Sequence, residues 1–250
     1  MCPLNRPRGV PLLCYVTDQR NLVSARTSQA RQPLDPHKIL LKKIAAAVSA
    51  GVDWIQIREK ELSGKECSSL TREAMAVTAS SSPPDSSKGS TSSKTEATRE
   101  KVSTRILVND RLDVALAAQA GGVHLGEKCL PPEEARRLVR TLDRKDFLIG
   151  VSCHSLEAAK AAERSGADYL FFGPVFATPS KAAYGAPQGP EHLAAVCRAV
   201  EVPVLAIGGI TLENAADCIS AGASGLAAIR LFQDAADLAA IVRALRELST

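Results

Sequence analysis

Three polar clusters carry the groups that chemistry on an anionic substrate would use: Gln56-Ile57-Arg58-Glu59-Lys60, Asn109-Asp110-Arg111 and Gly208-Gly209-Ile210. Arg grips a diphosphate bidentately, and Lys meets it as a point charge. An Asp beside an Asn offers the hard oxygens that suit Mg2+ bridging to phosphate. A Gly pair lets backbone N–H groups approach an anion closely. The first two clusters also have a plainer reading. Arg58 and Lys60 can pair with Glu59 and Glu61, and Asp110 can cap a helix that begins at Arg111.

Further along, Gly173 to Lys181 sets two hydroxyls, Thr178 and Ser180, beside the amine of Lys181. These groups donate to phosphate oxygens. A solvated surface loop is the alternative, weakened by the length of the connection. Of the histidines, His124 lies in an apolar run and reads as a satisfied core residue. His154 follows such a run and is placed for acid–base work.

The elements that would position these groups alternate regularly. Apolar runs predict strands over Leu12–Val16, Val52–Ile57, Ile106–Val108, Gly122–Leu125, Phe147–Val151, Tyr169–Phe172, Val202–Ile207 and Gly225–Ile229. Period two puts Gln56, Arg58 and Lys60 on one side of the second strand and Ile55 and Ile57 on the other. Helical spacing predicts Pro36–Ala50, with Asp35 as N-cap and Gly51 closing it. Further helices are expected from Ser63, over Leu112–Gln119, Pro131–Leu142 and Ser155–Ser165, up to Val200, over Leu212–Ala221 and ending near Leu248. Eight βα units fit a TIM (β/α)8 barrel, a single α/β domain over residues 1–250. A doubly wound sheet is the alternative. Residues 78–104 are rich in Ser, Thr, Lys and Pro and nearly free of large apolar side chains, which predicts a disordered insertion.

Composition narrows the function classes. The 250 residues are 45% hydrophobic with a formal net charge of +4, and no Lys/Arg block is interleaved with aromatics, so nucleic acid is a poor partner. No stretch approaches a membrane span, and Val10–Val16 is too short for a signal-peptide core, so the cytoplasm is the expected location. Seven cysteines without a CxxC pair read as small core residues rather than a disulfide framework.

Taken together, Gln56-Ile57-Arg58-Glu59-Lys60, Val108-Asn109-Asp110-Arg111, Val123-His124-Leu125-Gly126, Gly150-Val151-Ser152, Gly173-Pro174-Val175-Phe176, Thr178-Pro179-Ser180-Lys181 and Ile207-Gly208-Gly209-Ile210 closely resemble the thiamine phosphate synthase family and its sister thiazole tautomerases. The likeness runs from Leu13 to about Leu245, apart from the serine-rich insertion. It implies a TIM barrel that joins a hydroxymethylpyrimidine diphosphate to a thiazole phosphate and releases pyrophosphate. It further implies that Gln56, Arg58, Lys60, Asn109, Ser152 and Lys181 hold the pyrimidine diphosphate and that Asp110 binds Mg2+. Thr178, Ser180, Gly209 and the Ile229-Arg230 backbone would hold the thiazole phosphate. A homodimer is the assembly to look for.

This chain departs from the family pattern twice. Glu127-Lys128-Cys129 replaces the usual Gln-Glu-Asp, so a thiol stands where a second Mg2+ ligand is expected, and thiols are poor Mg2+ ligands. Arg230 replaces a usual Ser beside the thiazole phosphate. A thiazole tautomerase is therefore the alternative, with His154 matching its proposed acid–base residue. A non-catalytic binder of thiamine precursors is the third reading.

Overall fold

The computed structural model describes residues 9–24, 35–80, 104–178 and 186–248. Strands β1 Leu12–Val16, β2 Trp54–Ile57, β3 Arg105–Asn109, β4 Gly122–Leu125, β5 Leu148–Cys153, β6 Tyr169–Phe172, β7 Val204–Ile207 and β8 Gly225–Ala228 are all parallel to their neighbours. They close in sequence order, with β8 pairing back onto β1. The closed barrel excludes the doubly wound alternative.

The helices are α1 Gln19–Ser24, α2 Pro36–Ala50, α3 Gly64–Ser80, α4 Leu112–Ala117 and α5 Pro132–Thr141, then α6 Leu156–Arg164, α7 Gly189–Ala199, α8 Ala215–Ser220, α9 Arg230–Gln233 and α10 Leu238–Arg246. Asp35 caps α2 by accepting the His37 N–H, and Gly51 ends it in the left-handed region at φ 85°. Ser155 caps α6 through the Ala158 N–H. Short α1 and α9 had no periodic signal of their own. Helix α3 runs to Ser80, so the expected disordered stretch begins inside a helix, and residues 81–103 lie outside the described ones.

Strand alternation builds two cores. Leu13, Tyr15, Ile55, Ile57, Ile106 and Val108 face the helices and join one large cluster. Leu12, Cys14, Val16, Trp54, Leu107, Leu148, Tyr169 and Phe171 fill the barrel. Each fully buried large apolar side chain contributes ~1.5–3 kcal/mol.

The end of the barrel where the strands begin is tied by two similar clamps. Asp53, just before β2, accepts the Leu13 N–H at 2.7 Å and the Arg246 guanidinium at 2.8 Å. Arg246 also donates to the carbonyls of Gly51 and Pro11, which ties α10 across the strand starts. Asp168, just before β6, accepts the Ile149 N–H at 2.7 Å and pairs with Arg136 of α5. Such end-on ties leave the opposite end free for loops that carry side chains for chemistry. Among the described residues, no helix is long and apolar enough to cross a membrane, and none of the six described cysteines is disulfide-bonded.

Candidate active site

Residues at the C-terminal ends of β2 to β5 form one hydrogen-bonded rim. Gln56 is the last inward residue of β2 and is 2% exposed. Its Nε2 donates to Asn109 Oδ1 at 2.7 Å, and Asn109 Nδ2 donates to Asp110 Oδ2 at 2.7 Å. The carboxylate sets the polarity of this chain. Asp110 can only accept, so Asn109 presents its NH2 there and its oxygen to Gln56. Gln56 Oε1 is then left buried with no partner among the described residues.

Asp110 leaves the strand in the left-handed region at φ 59°. A non-glycine residue held there costs of order 1–3 kcal/mol, which surrounding contacts must offset. They do so densely: Asp110 N–H donates to His124 O, and Asp110 Oδ1 accepts from the Gly126 N–H at 2.9 Å and from Cys129 Sγ at 2.9 Å. Burial and the neighbouring carboxylate both push the Cys129 thiol up from its ordinary value, so sulfur stays protonated and donates. Asp110 is therefore not the helix cap that its position allowed. Arg111 occupies the N-cap of α4 without a side-chain cap bond and pairs with Asp113 instead.

The strand period expected beyond Ile57 stops there, because β2 ends. Arg58 is half-buried and Lys60 exposed, so neither is a buried cation. The alternative ion pairs of Arg58 and Lys60 with Glu59 and Glu61 do not form. Glu59 turns to β1, accepting from Thr17 Oγ1 at 2.5 Å and the Gln19 N–H at 2.9 Å, while Arg20 takes Glu61. Burial pushes the Glu59 carboxyl up, opposed by those two hydrogen bonds. Lys60 instead lines a cavity of about 160 Å³ with Asn109, Asp110, Arg111 and Cys67.

On β5, Ser152 is half-buried and its Oγ lies 2.9 Å from His124 Nε2. His124 is fully satisfied, since its Nδ1 meets Tyr169 Oη at 3.1 Å. Burial holds its imidazole down at about 3, so the ring is neutral. His154, just past β5, uses its ring Nδ1 on the Gly173 carbonyl and gives its backbone N–H to Glu127 at 3.2 Å.

The remaining expected residues lie on the far rim. Gly208 and Gly209 have φ 97° and 67°, and a Cβ on them would fall 2.6 Å from Pro174 and from the Ala177 carbonyl, respectively. The glycines thus let the loop after β7 press against the loop after β6, where Phe176 N–H donates to Gly208 O. Thr178 is half-buried, whereas Ser180 and Lys181 lie outside the described residues. Strand β8 ends at Ala228 rather than Ile229: Ile229 turns to φ −92° and ψ −74° and caps α9, which starts at the exposed Arg230. Gln233 of α9 accepts from Tyr15 Oη and the Asp18 N–H, which fixes this turn against β1. The Thr17–Glu59 and Gln233 contacts, and the link from Ser152 back to Tyr169, carry no motif signal because they join residues far apart in sequence.

The family profile for thiamine monophosphate synthase matches residues 89–232, more than half of the chain. This chain belongs to that family. The thiamine-phosphate synthase of Moorella thermoacetica is 40% identical over 210 residues, covering 84% of this chain and 88% of the relative. That of Methanoculleus marisnigri is 42% identical over 207 residues, covering 83% and 85%. Among solved structures, a thiamine phosphate pyrophosphorylase from Pyrococcus furiosus superposes with a TM-score of 0.71 at 28% identity, covering 95% of this chain and 94% of that one.

The family raises the question of a metal. Among the described residues no group of three His, Cys, Asp or Glu side chains is placed to hold one. Mg2+, however, is commonly bound through one or two carboxylates plus substrate phosphates. Asp110 meets the first need, and Oδ2, with a single donor among the described residues, keeps a lone pair for it. The donor set fits Mg2+ in company with a diphosphate.

Proposed function

We propose that this chain is a thiamine phosphate synthase, joining hydroxymethylpyrimidine diphosphate to thiazole phosphate and releasing pyrophosphate. The observation that carries the reading is the orphaned Gln56 Oε1 at the β2 end of the rim. A buried acceptor without a donor is costly, so a ligand N–H is its natural partner. The amino group of an aminopyrimidine supplies one. It would lie beside Asp110 and Ser152, where a diphosphate on the same ring has its partners.

In this reading Gln56, Arg58, Lys60, Asn109, Ser152 and Lys181 hold the pyrimidine diphosphate. Asp110, together with diphosphate oxygens, holds Mg2+. When bound, the metal neutralises charge on the leaving diphosphate. Thr178, Ser180, Gly209 and the Ile229-Arg230 backbone take the thiazole phosphate. His154 lies between the two groups.

The reaction asks the protein chiefly for position and charge. The bond from the methylene carbon to the diphosphate oxygen breaks, and its electron pair leaves with pyrophosphate. The aminopyrimidine ring spreads the positive charge left on the methylene. The thiazole nitrogen then donates its lone pair to form the new C–N bond. Arg58 and Lys60, free of ion pairs with the described residues, stay available for the departing anion.

Charged, soluble substrates suit a cytoplasmic enzyme, and light scattering on the eluted protein tests the expected homodimer. The decisive assay supplies purified protein with both precursors and Mg2+ and measures thiamine phosphate after oxidation to its fluorescent product. Its formation supports the proposal. Isomerisation of a thiazole carboxylate phosphate without it would make the chain a tautomerase.

A further inference from the structure

Three strands place one hydrogen-bonded line inside the barrel. His124 of β4 pairs in register with Gly150 of β5, and Gly150 pairs in register with Tyr169 of β6. With no side chain at Gly150, the phenol of Tyr169 crosses β5 and reaches His124. A Cβ there would lie 2.0 Å from Tyr169 Cζ and 2.4 Å from its Oη. Two residues along β5 toward the mouth, Ser152 meets the other imidazole nitrogen at 2.9 Å.

A neutral imidazole has one N–H and one acceptor nitrogen, so the line has two polarities. In the first, Tyr169 donates to His124 Nδ1, and His124 Nε2–H donates to Ser152 Oγ. In the second, Ser152 donates to Nε2, and Nδ1–H donates to Tyr169. The second leaves the Tyr169 hydrogen without an acceptor. Tyr169 is wholly buried, and among the described residues His124 is the partner its hydroxyl has. Unmet buried donors are disfavoured, which selects the first polarity.

We infer that His124 is a positioning residue: its Nε2–H occupies a lone pair of Ser152 Oγ and so frees the Ser152 hydroxyl hydrogen for a diphosphate oxygen at the barrel mouth. This rests on the reading of Ser152 as a diphosphate contact. In the opposite polarity Ser152 would face the anion with lone pairs only. Gly150 is part of the device, because any side chain there would displace the phenol that sets the direction.

Two measurements test this. In the unsubstituted protein, 15N chemical shifts of the His124 ring should show the proton on Nε2; a proton on Nδ1 overturns the inference, and no variant has to fold. Inorganic pyrophosphate with Mg2+ then serves as the probe in titration calorimetry. Ser152→Ala and His124→Phe should each weaken binding roughly tenfold, the double variant should weaken it little further, and His124→Gln, which keeps a donor, should recover most of the loss. Additive losses, or an unchanged affinity in His124→Phe beside a weakened Ser152→Ala, would overturn the role of His124 and leave the synthase reading intact. An unchanged affinity in Ser152→Ala would overturn the inference together with the assignment of Ser152, while thiamine phosphate formation would still decide the function.

Discussion

The Cys129 thiol donates to Asp110 Oδ1 across 2.9 Å, at the same oxygen that accepts the Gly126 N–H. A soft, protonated sulfur therefore stands against the carboxylate that would face Mg2+. Replacing Cys129 by Asp should add a hard oxygen ligand and tighten the Mg2+ requirement of turnover by roughly tenfold. A titration of rate against Mg2+ checks it. An unchanged midpoint would mean that the second metal ligand comes from elsewhere.

Gln56 should set specificity for the amino group of the pyrimidine. Gln56→Leu removes the orphaned acceptor and also strands Asn109 Oδ1, its hydrogen-bond partner at 2.7 Å. The expected cost is about 1–3 kcal/mol, seen as a ten- to hundredfold rise in KM for the pyrimidine diphosphate. The KM for the thiazole phosphate should stay near its original value. Steady-state kinetics with each substrate varied in turn distinguishes the two.

Acid should expose the cost of burying His124. Its pKa in the fold is held near 3, against 6.5 for the free side chain, so the folded state resists protonation and the unfolded state does not. The stabilisation is complete above about 6.5 and is lost as pH falls toward 3 at ~1.4 kcal/mol per pH unit. Urea unfolding at pH 7 and pH 5 should show the unsubstituted protein losing about 2 kcal/mol more than His124→Gln over that interval.

The clamp at the strand starts should matter for stability rather than chemistry. Asp53 is 3% exposed, and Arg246 is its charged partner at 2.8 Å. Arg246→Met removes this guanidinium from a buried carboxylate, at a cost of about 3 kcal/mol. For a domain of this size the melting temperature should drop by roughly 10 °C. Activity of the protein that remains folded should be unchanged, which calorimetry beside an assay at low temperature will show.

Local signals were readable where side chains act on their own backbone. Asp35, Pro36 and Gly51 marked both ends of α2, and the apolar runs at Gly122–Leu125 and Tyr169–Phe172 coincide with β4 and β6. Signals failed where a distant partner decides. The run through Ile229 reads as strand, yet the Gln233 contacts with Tyr15 and Asp18 favour a turn into α9 one residue sooner. Glu59 reads as a partner for Lys60 until Thr17, 42 residues earlier, takes it. The motifs of the rim were legible as residue types. The hydrogen-bond order that gives Gln56 its orphaned oxygen, and Ser152 its link to Tyr169, depends on the register of five strands and had no local sign.

Asp110 should anchor a rim on which a diphosphate leaves and a thiazole attacks, and this role has a direct test. Thiamine phosphate and pyrophosphate are followed together in single-turnover reactions of the unsubstituted protein and Asp110→Ala. Equal amounts of both products are expected from the former, and a rate at least roughly a hundredfold lower for the variant. Equal rates for the two proteins, or consumption of precursors without thiamine phosphate, would contradict it.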